Sequence, residues 1–188
     1  MPDSNFQIRR AAEWINFHDG VIAYPTEAVY GFGCHPQSEA GLSRILRIKQ
    51  RPWHKGMLLV ASSIEQVIPY ISIAGLPQLD TLREERDYPV TWLLPADDSV
   101  SPLLIGSHQK IAIRISKHPV VKALCESANS AIVSTSANRA GHQPSTKAHQ
   151  VRAQFSHDLD QVVAGNVGGF TKPSAIIDAE TQTIIRAY

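Results

Sequence analysis

IAIRISKHPVVKALCESANSAIVSTSAN, residues 111–138, decides how the chain folds. Ile111, Ile113 and Ile115 alternate with Ala112 and Arg114, which predicts a strand with Arg114 on the face opposite the isoleucines. Pro119 suits the first turn of a helix, and the pattern predicts one through Ala128. Ala131-Ile132-Val133 then reads as a second strand. It runs directly into Ser134-Thr135-Ser136-Ala137-Asn138, a stretch of small hydroxyl and amide side chains. Strand, helix, strand and polar loop follow one another here, and loops at strand carboxyl ends are where open α/β sheets bind ligands.

Outward from this stretch, strands and helices alternate without a regular period. Towards the N-terminus, Phe6–Phe17 is predicted helical, Val21–Tyr24 a strand, Pro25–Pro36 a loop, Glu39–Ile48 a helix and Met57–Ala61 a buried strand. Ser63 is read as the N-cap of a helix ending near Ile71, and Leu76–Glu85 as another helix. Val90–Leu94 is predicted as a strand. Towards the C-terminus, Lys147–Phe155 is predicted helical, with strands near 161–163, 175–177 and 183–185. Several strands are neighbours in sequence. The expected fold class is therefore α/β with α+β character, a mixed sheet flanked by helices rather than a doubly wound one.

The chain of 188 residues is expected to form one domain over 1–188, with 43% apolar and 19% charged residues. No apolar run reaches the roughly 20 residues of a membrane span. The N-terminus carries no signal-peptide core, so a cytoplasmic location is expected, with Cys34 and Cys125 as free thiols. The eight histidines never fall at the i, i+4 spacing of a zinc-binding helix, and no protein-held metal is expected. The net charge of +1 conceals segregation. No acid lies between Glu39 and Glu65, where Arg44, Arg47, Lys49, Arg51 and Lys55 stand, and only Glu126 lies between Asp98 and Asp158. Such segregation implies a positive surface for an anionic partner.

Several groups carry candidate chemistry. Lys49-Gln50-Arg51-Pro52 is a cationic pair at a helix end stopped by proline. If the two side chains converge they clamp phosphate oxygens; if the segment stays extended they point apart. Ser134, Ser136 and Asn138 offer hydroxyl and amide groups to phosphate, or ligands to a phosphate-bound Mg²⁺; the alternative is a turn leading to Gly141. Thr26 and Tyr30 follow the first strand in a stretch hinged by Gly31 and Gly33. Arg114, inside an apolar strand, requires an anion from a neighbouring element or a substrate. Ser174 follows the Gly168-Gly169 stretch, and Arg186 ends a late strand. There is no GxxxxGK[ST], GxGxxG, GxSxG or CxxC.

Five motifs in order, YPTEAVYGFGC (24–34), KQRP (49–52), IRISKHP (113–119), STSAN (134–138) and PSAIID (173–178), resemble the YrdC-like family of threonylcarbamoyl-AMP synthases. The resemblance implies a twisted YrdC/RibB-like mixed sheet around a positively charged concave cavity. It implies that ATP, carried with Mg²⁺, L-threonine and bicarbonate yield threonylcarbamoyl-adenylate and pyrophosphate, with no protein-ligated metal. Partner enzymes of the TsaB, TsaD and TsaE type would then modify tRNA. The family's Lys-x-Arg and Ser-x-Asn signature falls on Lys49, Arg51, Ser136 and Asn138. Its threonine pocket falls on Thr26, Tyr30, Arg114 and Ser174, and its nucleotide contacts include Ser134 and Arg186. Asp87–Thr91 and Lys55-Gly56-Met57 depart from the family pattern. The competing reading is a protein that binds double-stranded RNA or tRNA; a carbamoyl-transfer relative is a third.

Overall fold

The computed structural model describes residues 4–188. In chain order the elements are α1 (Ser4–Phe17), β1 (Ile22–Pro25), β2 (Tyr30–Gly33), α2 (Glu39–Lys49), β3 (Leu58–Ala61), β4 (Val90–Pro95) and α3 (Pro102–Ile105). Then come β5 (Lys110–Ile115), α4 (Pro119–Ala128), β6 (Ile132–Ser136), α5 (Ala148–Phe155), β7 (Gln161–Val162), β8 (Ala175–Asp178) and β9 (Ile184–Arg186). The strands form one sheet in the order β7-β1-β2-β6-β3-β5-β4-β8-β9. The pairs β1–β7, β3–β5 and β4–β8 are parallel and the other neighbours antiparallel, so the mixed sheet expected from the sequence is what forms. β5 and β6 flank β3 and run opposite ways, so α4 is not a parallel crossover.

β6 joins the two halves. Its start pairs with β3, Leu58 opposite Ser134, while its end pairs with β2, Gly31 opposite Ser136. One sheet face is apolar along its length: Phe32, Leu59, Leu94, Ile111, Ile113 and Val133 are completely buried, with α2 packed there through Leu42 and Ile45. The other face changes character. Ile22, Tyr24, Val60 and Ile132 are buried under α1 and α4, which offer Ala11, Ile15, Val121 and Leu124. Beyond that cover the same face is left open.

The local chemistry explains the helix ends. Ser38 caps α2, its Oγ accepting from Gly41 N at 2.9 Å. Gln50 closes α2 in the left-handed region at φ 51°. Pro119 opens α4, and Asn129, at φ 49°, closes it.

Four expectations change. The stretch 25–36 is not all loop, because residues 30–33 form β2. Gly31 and Gly33 are not hinges and have no left-handed φ. A Cβ on Gly33 would lie 2.5 Å from Val133 O and 2.7 Å from the Tyr24 ring, so glycine is needed there for close packing. The helix expected after Ser63 is turns and a short 3-10 helix, Ile68–Tyr70; Gln66 Oε1 accepts from Ser62 N and Pro69 lacks a donor. The segment expected as a helix over 76–85 is a 3-10 stretch, Ile73–Arg83, with Pro77 inside it.

Candidate functional site

The open half of the sheet face is the floor of a cavity of about 890 Å³. Leu58 of β3, Ala112 and Arg114 of β5, Ser134 and Ser136 of β6, Thr91 and Leu93 of β4 and Ile176 of β8 all line it. The alternation read for β5 therefore holds, with Ala112 and Arg114 facing the cavity while Ile111 and Ile113 face the core. Arg51, Lys55, Lys110, Arg114, Lys172 and Arg186 line the cavity against a single carboxylate, Glu27. Lys110 is neutralised by Asp178 at 2.7 Å and Glu180 at 3.1 Å. The rest leave a strong positive excess over a floor of hydroxyl and short apolar side chains.

Eight sequence-predicted residues line this cavity: Thr26, Tyr30, Arg51, Arg114, Ser134, Ser136, Ser174 and Arg186. Lys49 and Asn138 lie behind the wall. The αL turn at Gln50 sends Lys49 and Arg51 apart, so the pair does not converge on one ligand atom. Lys49 is 3% exposed, and its Nζ donates to Ser136 O, to Asn138 O at 3.0 Å, and to Asn138 Oδ1 at 3.2 Å. Its ammonium is spent holding the 136–138 turn in place. Burial and then the charge of Arg51 push Lys49 down to about 8. Ser136 Oγ donates to Asn138 Oδ1 at 2.6 Å, and Asn138 Nδ2 donates to Arg139 O and His142 O. Asn138 is thus a brace of the loop, not an open donor.

Arg51 donates through Nε and Nη2 to Gly56 O at 3.2 and 2.9 Å and has no carboxylate partner among the described residues. Gly56 itself requires its left-handed φ of 58°, and a Cβ there would meet Ile105 O at 2.7 Å. Burial lowers the Arg51 guanidinium from its ordinary value. Arg186 reaches back to Ser174 O at 2.9 and 2.7 Å, and Ser174 Oγ shares a 2.8 Å hydrogen bond with Thr91 Oγ1. Burial, then the Arg114 charge, lowers Arg186.

At the opposite end, Thr26 Oγ1 donates to Val29 O at 2.8 Å and Tyr30 OH donates to Gly165 O at 2.7 Å. The Gly165 amide donates back to that hydroxyl at 3.2 Å, so Tyr30 anchors the 165–173 loop rather than offering a free donor. Glu27, missing from the sequence-read site, is 8% exposed beside Arg114, with Nη2–Oε2 at 3.4 Å. A lone carboxylate inside YPTEAVYG was the available signal. Both thiols are buried; burial pushes Cys125 up to about 12 and Cys34 higher, so neither is a nucleophile. Among the described residues no cluster of three or more His, Cys, Asp or Glu is placed to hold a metal. Among the described residues no helix is long and apolar enough to cross a membrane.

The family model Sua5/YciO/YrdC, described as telomere recombination, matches residues 17–187. The chain belongs to the Sua5/YciO/YrdC family. Two structures of Sua5 from P. abyssi are similar to it at 27% identity over 93% of this chain. One is the H234A/Y235A variant, TM-score 0.85, and the other is a complex with L-threonine, TM-score 0.84. The chain spans about half of those Sua5 chains, 53% and 51%. YciO from E. coli shares the fold, with TM-score 0.78 and 22% identity, over 99% of this chain and 90% of that one. The Sua5/YciO/YrdC fold is thus the one read from the five sequence motifs.

Proposed function

We propose that the protein is a threonylcarbamoyl-AMP synthase, converting ATP, L-threonine and bicarbonate into threonylcarbamoyl-adenylate and pyrophosphate. The observation that carries this reading is the cavity, in which Arg51, Lys55, Lys172 and Arg186 have no carboxylate partner among the described residues and Arg114 shares the one carboxylate, Glu27. Its volume of about 890 Å³ suits a nucleotide beside an amino acid, at the upper end of ordinary ligand sites. Membership of a family in which a Sua5 protein was solved with L-threonine supports the amino-acid half.

The chemistry asks little of a general base. Threonine nitrogen bonds to the bicarbonate carbon with loss of water and a proton, giving a carbamate. A carbamate oxygen then attacks the α-phosphorus, and the bond from that phosphorus to the bridging oxygen of pyrophosphate breaks. Both partners are anions, so catalysis consists of positioning them and offsetting charge on the leaving group. Arg51 and Arg186 bind phosphate oxygens, Ser134 and Ser136 orient them, and Arg114 takes the threonine carboxylate. Lys49 acts through the Ser136–Asn138 turn that it holds. Mg²⁺ enters bound to ATP as part of that substrate. The adenylate passes to TsaB-, TsaD- and TsaE-type partners for tRNA modification.

The decisive assay measures pyrophosphate and the adenylate while each substrate is omitted in turn. Product that needs all three supports the synthase; product without threonine or bicarbonate overturns it. A second reading, binding of tRNA or double-stranded RNA, draws on residues 139–157, which expose Arg139, Lys147 and Arg152 and contain no acid. It predicts RNA affinity that falls steeply with salt and does not respond to ATP.

A further inference from the structure

α1 covers the sheet with one face and turns a patterned ridge to solvent with the other. Ile8, Ala11, Ala12 and Ile15 are buried on its inner face. At about 100° per residue, the line diametrically opposite them is Phe6, Arg10, Glu13 and Phe17, spaced i, i+4, i+7 and i+11. The outward line of a surface helix is ordinarily polar along its length. Here both ends are phenylalanine, Phe17 at 77% exposure and Phe6 at 54%. Trp14, on the flank, is half-buried and packs its ring on His18 at a centroid distance of 5.0 Å. Arg10 and Glu13 are exposed and enter no ion pair among the described residues, whereas Lys122 and Glu126 on the neighbouring α4 stand 3.8 Å apart.

The order of these four residues reads the same from either end: apolar ring, charge, opposite charge, apolar ring. Positions 6 and 17, and positions 10 and 13, are symmetric about the point between Ala11 and Ala12. A second copy of the helix, laid antiparallel across a twofold axis at that point, sets Phe6 against Phe17 and Arg10 against Glu13, each contact made twice. That is the pattern of an isologous interface, in which one patch complements itself. The parallel arrangement would set Arg10 on Arg10 and Glu13 on Glu13, which repel. We propose that α1 is the contact helix of a twofold-symmetric homodimer, paired antiparallel through Phe6, Arg10, Glu13 and Phe17. The occupant of the ridge is a second copy of this chain, because the charges and rings are ordered to complement their own reversal.

The size of the ridge sets the strength of the contact. The two ring contacts lie about 16 Å apart along the helix and enclose the two ion pairs. One such ridge covers well under the roughly 800 Å² per partner of a standard interface, and exposed ion pairs add little. The dimer is therefore weak and in fast exchange, with a dissociation constant on the order of 100 μM. No residue of α1 lines the cavity, so each copy keeps its own site.

Sedimentation equilibrium of the full chain, from about 10 μM to about 1 mM at low salt, reads the association before surface charges are screened. Arg10→Glu or Glu13→Arg alone puts like charges at both contacts and weakens the dimer about 10-fold. The double variant Arg10→Glu/Glu13→Arg restores opposite charges and returns the constant to within about 3-fold of wild type. Phe6→Ser with Phe17→Ser leaves a monomer over the whole range. All of these side chains are exposed, so urea unfolding midpoints stay at the wild-type value. A wild-type chain that remains monomeric to about 1 mM overturns the homodimer and leaves the ridge to a different macromolecule. A dimer that the single reversals leave intact, or that the double reversal does not rescue, has its contact elsewhere and overturns it equally.

Discussion

Val60 and Leu58 stand on the same face of β3, two residues apart, and meet different surroundings. Val60 is completely buried beneath α4, in the cluster with Ile132 and Leu124, whereas Leu58 looks into the cavity. β6 repeats the contrast more sharply: Ile132 is covered, while Ser134 and Ser136 line the cavity. A single strand thus switches from aliphatic to hydroxyl side chains where its helical cover ends. A sheet face must be buried or made compatible with water and ligand. The covered half stabilises; the open half selects what enters.

The largest effect that sharpens this division lies in the open half. Arg51→Ala is expected to lower the rate of threonine-dependent pyrophosphate release about 10³-fold, the scale of losing one preorganised charge at a developing anion. Its chemical-denaturation midpoint should barely move, because Arg51 bonds only to backbone carbonyls at the cavity edge. Lys49→Ala should lose as much rate and also about 1–3 kcal/mol of stability, since Ser136 O and Asn138 O lose their buried donor. Equal unfolding midpoints for the two variants would remove the distinction between a cavity cation and a buried brace.

Next in size is the covered half. Ile132→Ala should cost about 3 kcal/mol in urea unfolding, from lost burial plus the cavity left under α4. Substrate KM values should stay within twofold of wild type, as about 0.4 kcal/mol of binding free energy allows. A large KM change would show that the covered half tunes the site after all.

How much of this was legible in the sequence differs along the same line. The strands other than β2, and α1, α2, α4 and α5, were readable from their apolar patterns and stop signals, as with Pro119 and Asn129 around α4. β2 was not, because Gly31 and Gly33 look like loop residues until their contacts with β6 are known. The 3-10 stretch over Ile73–Arg83 shows an apolar pattern, but Pro77 withholds an α-helical hydrogen bond. In the site, Arg51, Arg114, Ser134 and Ser136, singled out by residue type, line the cavity. Residue types could not show that Lys49 and Asn138 lie behind the wall, which depends on the αL turn at Gln50, nor that Glu27 faces Arg114 across two strands. Those are facts of tertiary placement, and no local period encodes them.

The smallest effect is a pH dependence that separates Lys49 as brace from Lys49 as mere filler. Burial and Arg51 set its folded value at about 8, below the ordinary 10.5 it regains on unfolding. Between pH 8 and 10.5 the unfolded chain therefore holds the proton that the folded chain has released. The number of protons bound is larger in the unfolded state, so this group's contribution to stability rises with pH across that window. Activity should move the other way, because the neutral amine no longer satisfies Ser136 O, Asn138 O and Asn138 Oδ1 together. The turnover rate should fall on an alkaline limb with an apparent pKa of about 8, reaching about one tenth near pH 9. Lys49→Arg, which keeps its charge throughout, should abolish that limb even if its maximal rate is lower. A limb that persists in Lys49→Arg would assign the titration to another group and leave Lys49 as a structural cation only.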